Sequence, residues 1–392
     1  MHILYGFSNC TDKKYNELMS GTGLSILRPD QKYHGLLIKG LAANGADVKC
    51  FSGLPVNRAL TKKIFINEKD ETENGVYYHY ISTVNLPLLR RITVFFGSFF
   101  GVLFTKKKPD TFIVCDCLNV ANAYGMMLAG KLRKIPVATI VTDLPDMMSQ
   151  GGITRRINNR FFKSVDGFII LTEQMNARVN LKAKPFIVLE GHVDSALGEA
   201  EADKKEEQLS GKKVVVYAGS VNRIYGIENL VEGFLLSNLD NAELRVYGDG
   251  DYAEKVKETA KKYSNVKYMG VCDNSEVVKA EQSAALLVNP RPAAPEYTRY
   301  SFPSKNMEYM VSGTPVLTTK LPGMPKEYYP YVYLLEDETP MGVSDALRDI
   351  FSLTADERGK KGEAARRFVL EHKSNVIQAK RITDFLMKEV KR

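Results

Sequence analysis

The segment at residues 300–315 constrains the fold most, because it combines helix start and stop signals between two apolar runs. Pro303 is suited to the first turn of a helix, where its missing N–H costs nothing. Gly313 is suited to the position just past the last turn. Apolar runs at 284–288 and 315–318 lie on either side. The sequence therefore predicts a strand, a loop, a helix and a second strand, as in an open α/β sheet.

Two charged residues stand on the polar side of this predicted helix. Met307, Met310 and Val311 recur at three- and four-residue spacing, which predicts a buried apolar stripe. Lys305 lies in the first turn, where a cation opposes the helix dipole, so we expect a negative group opposite it. Glu308 lies roughly 7 Å along the axis from the helix start and is suited to accept hydrogen bonds from a vicinal diol. The pattern predicts a nucleoside diphosphate site, with phosphate at the helix start. An ion pair between Lys305 and Glu308 on an ordinary surface helix is the alternative.

These residues carry a resemblance to a known family. Phe302-Pro303-Ser304-Lys305, followed by Glu308-Tyr309-Met310, resembles the donor-site signature of the family 4 retaining glycosyltransferases. The resemblance implies the GT-B fold, in which two Rossmann-like α/β domains with parallel sheets face each other across a cleft. It also implies that the C-terminal helix crosses back to the first domain. By analogy Glu308 holds the ribose, while Ser304 and Lys305 bind the donor nucleotide.

The chain departs from the family pattern at the donor sugar. The first glutamate of the family's paired-glutamate motif corresponds to Tyr300 here. Glu296, four residues earlier in a proline-rich loop, is the residue that we expect to take its place. The expected catalytic residues are Lys305, Arg223 and Glu296.

A second part of the expected donor site follows the apolar run at 213–218. Gly219 allows a ligand to approach the backbone closely. The resembling family commonly has arginine after this glycine and lysine before the next one, where this chain has Ser220 and Tyr225. We expect Arg223, in the same loop, to supply the missing charge. The resemblance also implies that the backbone near Val271 holds the nucleobase.

Length and composition limit the organisation of the chain. A chain of 392 residues suits two domains. We expect an acceptor-side domain at 1–194, a donor domain at 195–373 and a returning helix at 374–392, with a charged linker at 199–213. The five cysteines show no paired spacing typical of disulfides or metal sites, which favours a reducing cytosol.

The net charge of +8 predicts attraction to anionic partners. No recognised nucleic-acid-binding motif is present, so nucleic acid is not an expected partner. The apolar run at 92–104 lies between Arg90-Arg91 and Lys106-Lys107-Lys108. Thirteen residues are too few to span a bilayer. The run predicts either contact with an anionic membrane face or a helix buried against the first sheet.

Two features of the first half are candidates for the acceptor side. Asp143 follows the predicted strand at 137–141, at the edge where open α/β sheets bind ligands. We expect it to contact the acceptor hydroxyl or act as a base; a turn-capping aspartate is the alternative. The long polar stretch after the first predicted strand, which includes residues 20–23, is expected to help hold the acceptor.

Together the resemblance implies retaining transfer of a hexose from a nucleotide sugar, most simply a UDP sugar. The expected acceptor is a sugar or a polyprenyl-linked sugar in bacterial polysaccharide biosynthesis. The nucleotide sugar is a substrate, and no metal or cofactor is expected, since loop and helix charges can stabilise the leaving diphosphate. The expected location is cytoplasmic and peripheral on the inner face of the cell membrane.

Two other functions remain open at this point. One is a sugar epimerase of the same fold. The other is a catalytically weak partner subunit that binds a nucleotide sugar, which the replacements Tyr300, Ser220 and Tyr225 favour.

Overall fold

The computed structural model describes residues 1–20, 29–58, 60–148, 152–198 and 212–391. Its contacts divide the chain into two units. The first unit comprises Met1–His192 together with Ser374–Arg392, and the second comprises Val193–Lys373. The structure divides the chain at 192/193 and 373/374, and the domain boundaries were expected at 194/195 and 373/374. That these boundaries limit independently folding domains stays a prediction.

The first unit is built on a mostly parallel sheet in the order β10-β9-β8-β7-β1-β2-β5-β4. All five residues of β1 are buried, as expected for a central parallel strand covered on both faces. The edge strand β4 runs antiparallel to β5, and β3 pairs with β6 in a separate two-stranded ribbon. The strands are β1 His2–Gly6, β2 Asp47–Ser52, β3 Phe65–Ile66, β4 Glu71–Glu73, β5 Val76–Tyr80, β6 Thr83–Val84, β7 Thr111–Asp116, β8 Val137–Val141, β9 Gly167–Ile170 and β10 Phe186–Val188.

Helices connect these strands in the β–α–β manner of a Rossmann-like unit. They are α1 Asp12–Met19, α2 Pro29–Ala43, α3 Pro87–Phe104, α4 Val120–Leu132, α5 Pro145–Met148, α6 Gly152–Ser164 and α7 Glu173–Val179. The polar stretch after β1 was expected to be a loop, but Asp12–Met19 is helical. Thr11 begins this helix by accepting a hydrogen bond from the Lys14 amide at 3.1 Å. Residues 21–23 of the expected acceptor loop lie outside the described residues.

The second unit contains an all-parallel sheet in the order β13-β12-β11-β14-β15-β16. Its strands are β11 Lys213–Ala218, β12 Ala242–Tyr247, β13 Val266–Gly270, β14 Leu286–Asn289, β15 Val316–Thr319 and β16 Tyr333–Leu335. Its helices are α8 Ile227–Ser237, α9 Ala253–Lys262, α10 Asn274–Ser283, α11 Ser304–Val311, α12 Pro340–Ser352 and α13 Ala355–Lys373. The strand–loop–helix–strand segment predicted around residues 300–315 is therefore β14, α11 and β15. Lys213 begins β11, and residues 199–211 of the expected linker lie outside the described residues.

The last helix, α14 at Asn375–Phe385, belongs to the first unit, although it follows the second in sequence. It packs against α2. The Asn375 side chain donates to the Leu36 carbonyl at 3.0 Å, and the Asn44 side chain donates to the Val376 carbonyl at 2.8 Å. Gly40 allows this close approach, because a Cβ at that position would clash with the Asn375 carbonyl.

Among the described residues, α3 is the one helix that is long and apolar enough to cross a membrane, judged by length and composition only. Only 17% of its 18 residues are buried. The helix is therefore buried against the first unit on one side only, and contact with a membrane stays a prediction. Val94, Ser98 and Val102 form its buried side.

We expect Gly40→Ala to lower the free energy of unfolding by about 1–3 kcal/mol, because the added methyl group overpacks the α2–α14 contact. Urea titration of the full chain measures the change. Gly359→Ala in α13 is the matched control, since nothing lies within 4 Å of its Cβ position. Alanine there should stabilise slightly by helix propensity. Equal effects of the two changes would contradict the packing argument.

Candidate functional site

Helix α11 begins the candidate site, directly after the loop that leaves β14. Ser304 is its first residue and Pro303 is the N-cap, one position earlier than the first-turn role expected for Pro303. Met307 and Met310 are buried and Val311 is half-buried, which confirms the apolar stripe. The helix start therefore lies at the carboxyl end of a parallel strand, where open α/β sheets bind ligands.

Two buried polar side chains fix this helix against the sheet, and the sequence analysis assigned neither a role. The Tyr309 hydroxyl accepts a hydrogen bond from the Ala218 amide at 2.9 Å and donates to the Ala218 carbonyl at 3.1 Å. Burial raises the pKa of Tyr309 well above its usual value, so the hydroxyl keeps its proton. The Asn306 side-chain oxygen accepts from Asn289 at 2.7 Å and from Thr318 at 3.2 Å. Helix α11 is thus tied to β11, β14 and β15.

Lys305 is held by two carboxylates. Its ammonium group lies 2.8 Å from Glu308 and 3.8 Å from Glu281, whose side chain is buried in α10. Burial lowers the pKa of Lys305, but the two negative charges outweigh it, and the pKa is raised. The negative group expected opposite Lys305 is therefore present in the protein itself. The Lys305–Glu308 ion pair of the alternative interpretation also forms, and Glu281 was missed because sequence spacing does not reveal a contact between helices.

The loop after β11 carries Gly219, Ser220 and Arg223. The Arg223 amide donates to Asp251 at 2.8 Å, and its guanidinium lies 3.2 Å from Glu228 and over the Tyr252 ring at 5.0 Å. This side chain is 59% exposed. Ser220 is exposed, and its hydroxyl accepts from Asn222 at 2.6 Å.

Glycines let the neighbouring loop after β12 pack against this one. A Cβ at Gly248 would clash with the Gly219 carbonyl, and Gly248 has φ +120°. The Asp251 carboxylate accepts a hydrogen bond from the Arg223 amide, and Tyr252 is the N-cap of α9. Asp251 thus has a structural role in this loop.

Arg291 is a cation that the sequence analysis did not identify. It follows β14, and its guanidinium lies over the rings of Tyr225 and Tyr297 at 4.9 and 5.1 Å. Its Nε is buried and has no hydrogen-bond partner within the described residues. A Cβ at Gly226 would clash with the Pro290 carbonyl, so the two loops are in direct contact. Tyr225, which replaces the lysine of the family pattern, thus lies against an arginine supplied by another loop.

The remaining predicted residues lie on separate segments. Val271 follows β13 and is 75% exposed. Glu296 is exposed in a short 3₁₀ helix, Glu296–Tyr300, that precedes α11. Gly219, Val271, Glu296 and the start of α11 all follow carboxyl ends of strands in the second sheet. Asp143 lies in the first unit, exposed in the turn after β8.

Within the described residues no cluster of three or more histidine, cysteine, aspartate or glutamate side chains could hold a metal ion. Instead, the carboxyl edge of the second sheet presents the N-terminus of α11 together with the basic side chains of Lys305, Arg223 and Arg291. Such a set is suited to an anionic ligand carrying more than one charge.

The fold defined by these two units is GT-B, and solved structures share it over nearly the whole chain. A sucrose-phosphate synthase from Thermosynechococcus elongatus is 16% identical, with a TM-score of 0.64, over 99% of this chain and 98% of that one. HepE from Anabaena, in complex with UDP, is 13% identical, with a TM-score of 0.67, over 99% of this chain and 100% of that one. A UDP-forming α,α-trehalose-phosphate synthase from Burkholderia xenovorans is 11% identical, with a TM-score of 0.66, over 100% and 99%. The expected fold class is confirmed.

A family model matches most of the second unit. Residues 199–368 match the family model of glycosyl transferases group 1. The match covers less than half of the 392-residue chain and includes every predicted donor-site residue. No curated protein matches the sequence. The finer assignment to family 4 stays a prediction.

We expect Tyr309→Phe to lower the free energy of unfolding by about 1–3 kcal/mol, because the buried Ala218 amide loses its acceptor. Urea unfolding followed by circular dichroism measures the change. Tyr263→Phe is the control, since Tyr263 is partly exposed at the end of α9 and should change stability by less than about 0.5 kcal/mol. If Tyr309→Phe left the free energy of unfolding unchanged, the hydrogen bonds of the Tyr309 hydroxyl would not be what fixes α11.

Proposed function

We propose that this protein transfers a hexose from a UDP-linked donor to a sugar or polyprenyl-linked sugar acceptor, with retention of configuration and without a metal. The observation that carries the proposal is the placement of Lys305 and Glu308 at the start of α11. There a cation and a carboxylate lie at a helix N-terminus on the carboxyl edge of a parallel sheet. That edge belongs to the region that matches group 1 glycosyl transferases. The pathway that we propose is bacterial polysaccharide biosynthesis.

The diphosphate is the part of the donor that the second unit is best equipped to hold. The first amides of a helix lack intrahelical partners and point at a ligand placed on the axis. Lys305 remains protonated, because Glu308 and Glu281 raise its pKa. Arg223 and Arg291 add two positive charges from adjoining loops. Charge placed in advance where the departing diphosphate becomes more negative lowers the barrier to cleavage of the glycosidic bond.

The other residues take roles by position. Glu308 accepts hydrogen bonds from the two ribose hydroxyls, the backbone near Val271 contacts the base, and Glu296 contacts the donor sugar. Gly219 and Ser220 contribute backbone at the diphosphate. Asp143, at the carboxyl edge of the first sheet, orients or deprotonates the acceptor hydroxyl.

The comparisons support the choice of donor. Solved structures of the same fold include HepE in complex with UDP and with UDP-glucose, and a trehalose-6-phosphate protein from E. coli bound with UDP-2-fluoro glucose. They also include WaaB, a lipopolysaccharide outer core galactosyltransferase. These proteins are at most 16% identical to this chain, so the choice of a uridine nucleotide and a hexose for this chain rests on analogy.

A catalytically weak subunit that binds a nucleotide sugar is the second candidate. The observation that favours it is Tyr225, whose ring contacts Arg291 where the family pattern has a second cation. Tyr300 likewise stands where the pattern has a glutamate. Binding of a UDP sugar without hydrolysis or transfer to any added acceptor would favour this candidate.

The test of the proposal has two stages on the purified full chain. A thermal-shift screen of UDP, GDP, TDP, ADP and their hexoses should show the largest rise in melting temperature with a uridine ligand, since a ligand that binds only the folded state stabilises it. Incubation with that donor should then release UDP slowly, and faster with a sugar acceptor. Product analysis by NMR distinguishes a retained from an inverted anomeric centre and separates transfer from epimerisation. Absence of a shift with every nucleotide would refute the proposal.

We expect Lys305→Ala to weaken UDP binding by roughly 10- to 100-fold, because a charge-assisted contact worth about 1.5–3 kcal/mol is lost. Uridine binding should change little, since uridine has no phosphate. Isothermal titration calorimetry measures both. Lys360→Ala is the matched control, because Lys360 forms a helical ion pair with Asp356 on the exposed side of α13. Equal losses for UDP and uridine would contradict the phosphate role of Lys305.

We expect Glu308→Ala to weaken UDP binding by about 1–3 kcal/mol, because the ribose hydroxyls lose a charged acceptor. The same change should weaken binding of the deoxyribose analogues dUDP and 3′-deoxy-UDP by less. Competition titrations with the three ligands on wild type and variant measure this difference. Asp356→Ala, which breaks the same kind of ion pair on α13, controls for the loss of a helix carboxylate. If the variant weakens all three ligands equally, Glu308 does not contact the diol.

A further inference from the structure

An exposed apolar stripe follows the length of α3. Leu88, Ile92, Phe96, Phe100 and Phe104 recur every four residues, and their exposed fractions are 69%, 43%, 50%, 46% and 78%. The rings of Phe96, Phe100 and Phe104 stack in succession at 6.1 and 6.0 Å. Monomeric soluble proteins seldom leave an apolar surface of this kind uncovered.

The opposite side of α3 is packed into the first unit, so the helix lies along the protein surface. A Cβ at Gly97 would clash with Ile81, one at Gly101 would overlap the Phe51 ring, and one at Gly125 of α4 would clash with the Phe95 carbonyl. The helix is roughly 27 Å long, close to the thickness of the hydrocarbon core of a bilayer, but Arg90 and Arg91 lie in it and one side is packed against protein. These features are typical of a helix that lies in a membrane interface and not of one that crosses it.

Positive charge lies at both ends of the stripe. Arg91 is exposed near the beginning of α3, and Lys106 is exposed just past its end. Neither has a hydrogen-bond or ion-pair partner within the described residues. Lys107 and Lys108 follow, and Lys108 pairs with Asp47. An apolar stripe with cations at its ends is complementary to anionic headgroups above acyl chains.

A basic pocket adjoins the end of the stripe. It has a volume of about 590 Å³, and its lining includes Phe104, Lys106, Lys108 and Lys49. The Lys49 ammonium lies over the rings of Phe51 and Tyr77 at 5.1 and 5.3 Å, and no ion-pair partner for it lies within 4 Å in the described chain. Burial lowers the pKa of Lys49, and the negative charge of the more distant Asp70 offsets part of this decrease. An anion bound in the pocket would offset more of the cost of desolvating this ammonium group.

We propose that the exposed face of α3 docks on an anionic phospholipid bilayer, with the phenylalanine ladder among the acyl chains and a lipid phosphate in the Lys49–Lys106 pocket. A second copy of this chain fits the face less well, since a two-fold contact would bring two sets of basic residues together. The docking would keep this protein at the inner face of a cell membrane, as expected for an enzyme with a polyprenyl-linked acceptor. It requires no donor, so it stands or fails independently of the proposed function.

Co-sedimentation of the full chain with vesicles tests the proposal. Vesicles of phosphatidylcholine mixed equally with phosphatidylglycerol should bind the protein, and vesicles of phosphatidylcholine alone should bind it much more weakly. Binding to the mixed vesicles should fall as salt rises, because the electrostatic part is screened. No binding to the mixed vesicles would overturn the proposal.

Two sets of variants locate the surface. Phe100→Ser with Phe104→Ser should lower the partition coefficient on the order of tenfold or more, since both rings leave the interface. Lys49→Gln with Lys106→Gln should lower it by about fivefold for each lysine on mixed vesicles only. The controls are Leu181→Ser with Met341→Ser, two exposed apolar residues elsewhere, and Lys13→Gln with Lys279→Gln. Control variants that weaken binding as much as the α3 variants would overturn the proposal.

Two further measurements make the outcomes decisive. All variants should keep the wild-type melting temperature, which shows that they fold. Light scattering without vesicles should give the same mass for wild type and the phenylalanine variant. A larger mass for wild type that the variant loses, together with no vesicle binding, would assign the face to contact between copies of the chain and refute the membrane.

Discussion

The geometry of the second sheet's carboxyl edge depends on the hydrogen bonds of the Tyr309 hydroxyl. This hydroxyl satisfies both the amide and the carbonyl of Ala218, the last residue of β11. One buried side chain thereby sets the position of α11 relative to the loop that begins at Gly219. A neutral phenol can donate and accept at once, and burial keeps it neutral. Apolar packing alone would hold the helix to the sheet, but it would not fix the distance between the helix start and the Gly219 backbone.

Electrostatics at Lys305 follow from that placement. A cation at a helix N-terminus is unfavourable, and burial adds a desolvation cost. Glu308 and Glu281 offset both effects at Lys305. Under the proposed function, a diphosphate entering this edge would exchange partners with Lys305 and would not simply neutralise it. The gain in free energy would come from the helix amides and the two arginines, while the carboxylates hold the ammonium group in place. The ribose hydroxyls would then replace Lys305 as hydrogen-bond donors to Glu308.

The sequence was sufficient for the features that depend on local patterning. The apolar runs, Pro303 and Gly313 predicted β14, α11 and β15, and the family resemblance supplied the GT-B fold. It was insufficient where the deciding contacts join distant segments. Glu281 approaches Lys305 from α10, and Arg291 approaches Tyr225 from the loop after β14; neither spacing has a periodic signal. Helix α1 was missed because its polar residues resemble a loop. The exposure of α3 could not be read from its composition, since buried and exposed apolar helices have the same one.

The first unit presents an apolar surface and a cationic surface side by side at α3. Removing water from the phenylalanine ladder would be favourable, because its rings are exposed in the described chain. Lys49 links the two kinds of surface in the first unit: its methylene chain and aromatic neighbours belong to the apolar end of α3, while its ammonium group lacks an ion-pair partner within 4 Å among the described residues. A group that offers acyl chains and a phosphate together meets both requirements, whereas a purely apolar partner would leave that ammonium desolvated and uncompensated. This is the physical reason to prefer an anionic lipid surface over a hydrophobic protein partner for α3.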